Sequence, residues 1–201
     1  MMCCLARVPD IMQRGRHTLG AKDERDELRV ETRSLYETFK VTLSQLQVRW
    51  TAIKTPGAIN EYPPMVLLQL HAHYQRSYGL GLAIGIILNC VLGAFGSEDS
   101  KLMVESTNFA KEITALAEQA TRYRPLGASY MVSCLMAAWI GSTDKSLRLL
   151  IETLLGEYQQ DFTHRYMENL TEELDAMSRH MRLLGTPFEL RSNPVRKKTS
   201  S

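Results

Sequence analysis

Between Arg76 and Glu98 no residue is charged, and a second uncharged window occupies 125–143. Each approaches the ~20 residues a helix needs to cross a bilayer core. Either both windows are helices enclosed inside a water-soluble bundle, or both are spans in lipid. Gly81 and Gly85 stand at the small-xxx-small spacing of packed membrane helices, which keeps the second option open. Arg76 precedes the first window and Arg122 and Arg124 the second, so the segment 98–124 is about as basic as the flanks and sets no clear positive-inside orientation. The remaining stretches carry apolar stripes that need a core to pack on. A soluble all-α bundle is therefore expected, with a two-span membrane protein using 77–97 and 125–143 as the alternative.

The second window explains how such a core is built. Tyr123-Arg-Pro-Leu-Gly-Ala-Ser-Tyr130 leads into Met131-Val-Ser-Cys-Leu-Met-Ala-Ala-Trp139-Ile140. Proline pushes Arg124 away from helical dihedrals, and Pro125 with Gly127 punctuates the chain, so a turn launches a helix. Ala128, Ser133, Ala137 and Ala138 stand among Met131, Leu135, Met136 and Trp139 with no charge on any face. That pattern predicts a central rod enclosed on all sides, with neighbours packed close.

The other elements follow from period and punctuation. Leu28, Leu35, Phe39, Leu43, Leu46, Trp50 and Ile53 recur at three- and four-residue steps, predicting an amphipathic helix from about Lys22 that Pro56 and Gly57 end. Pro63 and Pro64 open a helix over Met65 to Phe95 that turns from amphipathic to wholly apolar. Ser97 to Ser100 supply caps and early acids for a helix carrying Leu102, Phe109, Ile113, Leu116 and Ala120. After the turn and cap at Gly141 to Asp144, apolar residues from Leu147 to Leu184 keep helical spacing, as one helix or as two broken near Gly156. The expected architecture is an irregular bundle of about five or six helices around two enclosed apolar ones. Residues 1–21 lack any period and are expected to be disordered or irregular, 22–185 to form one domain, and 186–201 to be a disordered basic tail.

With 201 residues and 44% hydrophobic content, the chain can bury one respectable core. Its 24 Lys+Arg against 22 Asp+Glu give no basic field of the kind that gathers phosphate backbones, which disfavours DNA binding by this chain alone. Cys90 and Cys134 stand singly in apolar runs, each without a second thiol at metal spacing, so a reducing compartment and no metal are expected. Arg7 and Pro9 interrupt the N-terminus too early for a secretory signal.

Several patterns invite a chemical reading and have a plainer one. Gly79-x-Gly81-x-x-x-Gly85 resembles a dinucleotide fingerprint, but that site needs a strand before its first glycine. Close helix packing is the expectation. Ser129, between Gly127 and Met131, lacks the second glycine and the preceding strand of a nucleophile elbow, and a small helical hydrolase using it is the weakest alternative. His71 and His73 fall on different faces of a helix and make poor co-ligands. His164 and His180 read as surface residues, and Glu168, Glu172, Glu173 and Asp175 as a solvated face paired with Arg165 and Arg179. Pro194-Val-Arg-Lys-Lys198 is a short basic tract of the nuclear-address type. No cofactor site emerges. A ligand or partner pocket, if formed, is expected among Asn89, Cys90, Tyr130, Ser133, Met136 and Trp139, where apolar helices meet polar atoms. Asn89 is the strongest candidate, because an amide in an apolar run must find a partner in backbone, Ser133 or ligand.

Tyr123-Arg-Pro-Leu-Gly-Ala-Ser-Tyr130-Met131, Cys134-Leu-Met-Ala-Ala-Trp139 and Tyr158-Gln-Gln-Asp161-Phe162 together resemble the C-terminal part of the regulatory domain in fungal zinc-binuclear-cluster transcription factors. Leu80 to Cys90 and Phe109 to Ala117 resemble the helices before it, so the resemblance covers roughly residues 30–165. It implies an all-α, non-enzymatic region of a nuclear regulator that restrains or transmits activation through partners of the transcription machinery, a parent regulator or a small-molecule effector. The family's DNA reader needs six cysteines in two groups, and the four here are not so arranged. Neither zinc nor direct DNA binding carries over. A truncated gene product, a misplaced reading frame and a free-standing remnant all fit that departure. Nuclear residence is expected, with cytoplasm as the alternative.

Overall fold

Helix α1, Lys22–Lys54, begins with Asp23 and Glu24 in its first turn, where carboxylates favour the positive end of the helix dipole. In this computed structural model, residues 7, 9–11, 13–14, 22–54, 64–95, 100–121, 124, 128–161, 175–176 and 179 are described. Leu28, Leu35, Tyr36, Phe39, Leu43 and Trp50 form the buried stripe of α1. Thr32 lies in that stripe without penalty, because its hydroxyl donates to Leu28 O at 2.7 Å.

Helix α2, Pro64–Ala94, starts on a proline whose missing N–H costs nothing in a first turn. From Tyr78 to Leu92 it buries Leu82, Ala83, Ile84, Ile86, Leu88 and Val91 and packs against α1, α3 (Ser100–Ala120) and α4 (Tyr130–Gly141). Gly79 and Gly85 allow that approach. A Cβ on Gly85 would lie 2.8 Å from the Phe109 ring of α3, and one on Gly79 would lie 3.4 Å from the Tyr130 ring of α4. Helix packing is thus the role of these glycines, as the absence of a preceding strand led one to expect. Helix α5, Lys145–Gln159, is capped by Asp144, whose carboxylate accepts from the Ser146 and Leu147 N–H groups. It runs unbroken through Gly156 and packs on α4 and α3.

The protein is all-α, a bundle around two apolar helices, with no strand among the described residues. Two expectations need adjustment. Helix α4 is covered by α2, α3 and α5 but is not enclosed on all sides: Ser133 is exposed, while Tyr130, Val132, Met136 and Ile140 are half-buried. A helix of 12 residues with three neighbours keeps one open face. In the segment expected to be irregular, the described residues 7, 9–11 and 13–14 are helical, and Ile11 is 1% exposed within the core. Arg7 and Arg14 both donate to Glu31 of α1, which anchors a piece too short to show a period. Beyond 161, only 175–176 and 179 are described, and they are helical; the expected continuation to Leu184, the basic tail, His164, His180 and the carboxylates Glu168, Glu172 and Glu173 lie outside the described residues.

One helix, over Val66–Ala94, is long and apolar enough to cross a membrane, and 67% of its apolar window is buried inside the protein. The second window holds a helix of only 12 residues, which at ~1.5 Å per residue falls short of a bilayer core.

The bundle's far end is tied by Tyr158 of α5, buried, whose hydroxyl donates to Ala117 O of α3 at 2.6 Å. Tyr158→Phe orphans that carbonyl, one of the unpaired groups at a helix end, and is expected to lower unfolding free energy by about 1–2 kcal/mol in urea titrations.

Candidate functional site

A cleft of about 390 Å³ opens where α2, α3 and α4 meet, with the start of α5 at its edge. Asn89 and Cys90 of α2 and Ser106 of α3 supply polar atoms, Leu102, Met103 and Ile140 apolar ones, and Thr143 and Arg148 one rim. Asn89 is 4% exposed. Its Nδ2 donates to Ser106 Oγ at 3.1 Å and to Leu102 O at 3.4 Å. The amide thus found partners on α3, not Ser133, and its Oδ1 accepts no hydrogen bond among the described residues.

The six residues expected to share a pocket separate into two groups. Asn89 and half-buried Cys90 line the cleft. Tyr130, Ser133, Met136 and Trp139 do not: Tyr130 packs at Gly79 with the Arg76 guanidinium 6.0 Å from its ring centroid, Ser133 faces solvent, and Met136 packs against the core. Trp139 is 3% exposed and points to α5, donating from Nε1 to Glu152 Oε1 at 2.8 Å under the Arg148 guanidinium, 4.2 Å from its ring centroid. Ser129 stands exposed at the N-cap of α4, away from the cleft. His71 lies tilted against Trp50 with ring centroids 4.3 Å apart, and His73 meets the edge of Tyr74. No grouping of three or more His, Cys, Asp or Glu suited to a metal occurs among the described residues.

Three further cross-helix polar ties are made among the described residues. Tyr36 of α1 donates to Glu105 of α3 at 2.5 Å, and Tyr78 of α2 donates to Glu112, one face of α3 thereby receiving both phenols. Burial, then those carboxylates, pushes both phenols well above the ordinary tyrosine range. In the third tie Arg124 of the α3–α4 turn grips Asp161 at the end of α5 from Nε at 2.5 Å and Nη2 at 2.9 Å, also donates to Glu157 O, and lies 5.0 Å from the Tyr158 ring centroid. A planar fork on a carboxylate is the geometry that arginine favours.

Burial pushes the Cys134 thiol up to about 12, and burial, opposed by nearby Arg124, pushes the Tyr158 phenol up to about 12. Folded values above the unfolded ones mean that both groups stabilise the fold fully below the unfolded values. That stability drains away as pH climbs toward 12. The thermal midpoint is expected to fall steadily above about pH 9, with the thiol leading because its unfolded value is about 8.5. In Cys134→Ala the decline is expected to begin about one unit later, which a melting series across pH 8–11 reads directly.

Fold and cleft together define a helical bundle with a mixed polar and apolar cleft at a three-helix junction. No known protein family, curated protein or solved structure matches the chain.

Proposed function

We propose that the chain is a non-enzymatic regulatory or interaction module, related to the C-terminal part of the regulatory domain of fungal zinc-binuclear-cluster transcription factors and acting through protein or small-molecule contacts. One observation carries most weight. Two of the strings behind the resemblance, at 123–131 and 158–162, are joined by the Arg124–Asp161 fork, across 37 residues of chain, and by Arg124 over the Tyr158 ring. Motifs that close on each other this way belong to one packing unit. The cleft supports the contact reading through its lining, in which apolar Leu102, Met103 and Ile140 stand beside the polar Asn89, Ser106 and Arg148. Working partners in this reading are the transcription machinery or a parent regulator, the place of action is the nucleus, and DNA reading falls to another chain.

Tethering the chain to a heterologous DNA-binding domain tests the reading. Reporter output is expected to change severalfold relative to the DNA-binding domain alone, and a tagged chain is expected to concentrate in the nucleus. Flat output from a folded, expressed fusion overturns it. Partition of the chain into detergent would instead favour the two-span reading, and a hydrolytic signal abolished by Ser129→Ala would favour the enzyme.

A further inference from the structure

The cleft has a chemical polarity that contact with a protein surface does not use. At its rim, Arg148 Nε donates to Ser142 O at 2.7 Å while the guanidinium rests on the Trp139 ring at 4.2 Å from its centroid. Those contacts fix the plane of the fork without occupying its terminal nitrogens, which reach no acceptor among the described residues. Arg148 is also the single charged side chain among the described lining residues. Behind it lie apolar Ala94, Leu102, Met103 and Ile140, and Asn89 with Ser106 forms a small polar floor. A volume of about 390 Å³ sits at the lower end of small-molecule sites, which run from about 300 to 1,000 Å³.

We propose that this cleft binds a small amphipathic monocarboxylate, an aliphatic or aryl acid, with its carboxylate on the Arg148 Nη groups and its apolar body against Leu102, Met103 and Ile140. The charge balance selects the class. A phosphate monoester brings up to about two negative charges against one cation, and a neutral molecule leaves the oriented fork unanswered. That such an acid acts as an effector rests on the regulatory reading; its binding does not.

Gly93 provides the sharpest test. It lines the cleft, and a Cβ built on it meets no atom within 4 Å, so the Gly93→Phe side chain starts in open space at the cleft and improves helix propensity. Gly156→Phe, equally free of contacts and outside the cleft, is the control. With the purified full chain, decanoate and 4-phenylbutyrate are expected to displace the fluorescent apolar anion 8-anilinonaphthalene-1-sulfonate, and their methyl esters to do so about tenfold more weakly. Arg148→Gln is expected to weaken the acids about tenfold while leaving the esters unchanged. Gly93→Phe is expected to abolish binding, and Gly156→Phe to match the wild type. Esters competing as well as acids, or acids binding Arg148→Gln at full strength, overturns the proposal, as does undiminished binding to Gly93→Phe. If Gly93→Phe loses its helical circular dichroism, the acid-to-ester ratio and Arg148→Gln decide alone. Lost binding with an intact reporter response sinks the site and spares the regulatory reading; binding with a flat reporter does the reverse.

Discussion

Gly141→Ala is expected to lower the unfolding free energy by about 2–3 kcal/mol, the cost of forcing one carbon into a filled space. Alanine ordinarily improves a helix over glycine by about 1 kcal/mol, and less at a final residue such as this one, so propensity alone gives the opposite sign. Packing decides the matter. The new Cβ would lie 2.3 Å from Ile86 Cγ2 and 3.4 Å from Ile86 Cβ and Cγ1. Ile86 is fully buried on α2, and a β-branched side chain in a helix has essentially one rotamer, so its methyl has nowhere to withdraw. The partner's shape makes the explanation testable. Ile86→Leu moves the branch away from Cβ and removes Cγ2, so adding it to Gly141→Ala is expected to recover most of the loss. Ile86→Val keeps a methyl at that position and is expected to recover none. Urea midpoints for the single and double variants give the coupling directly. Equal behaviour of the leucine and valine doubles would show that α2 and α4 do not meet at this point.

That contact also marks where the sequence stopped being informative. Helix boundaries were legible because breakers and caps act locally: Pro64 opens α2, Asp144 caps α5, and the Arg124-Pro125 break precedes α4. The apolar core helices were legible from missing charge. Periodicity tells which face of a helix is apolar, not which helix covers it, and that limit accounts for the expected site residues separating into two groups. Asn89 was rightly placed among apolar neighbours, but its partner Ser106 lies on α3, whereas Ser133 sits on the open face of a helix too short to be wrapped. Gly141 read as part of a turn; it is also the closest approach of α4 to Ile86. Arg148 left no trace, since an arginine four residues before Glu152 reads as a surface pair. In the structure Arg148 lies over the Trp139 ring while Glu152 accepts its Nε1 proton. The Arg124–Asp161 fork was hidden for another reason, its two halves being 37 residues apart.

Trp139→Ala is expected to be the most damaging single change described for this bundle, lowering stability by about 3–5 kcal/mol. Three losses combine there. The indole is 3% exposed, so its removal leaves a cavity between α4 and α5 that a helix packed on three neighbours cannot close. Glu152 loses the donor at 2.8 Å, and Arg148 loses the ring beneath its guanidinium. Trp139→Phe separates these terms, because a phenyl ring keeps most of the volume and a face for Arg148 but offers no N–H; about 1–2 kcal/mol is expected. Glu152→Gln keeps an acceptor oxygen and is expected to cost under about 0.5 kcal/mol. The order Ala, then Phe, then the Glu152 variant is what denaturant titration should return. Were Trp139→Phe to cost as much as Trp139→Ala, the hydrogen bond rather than the filled volume would be holding α5 on α4. The Arg148 fork would then depend on Glu152 through the indole, since only the bonded Nε1–H would fix the ring on which that guanidinium rests.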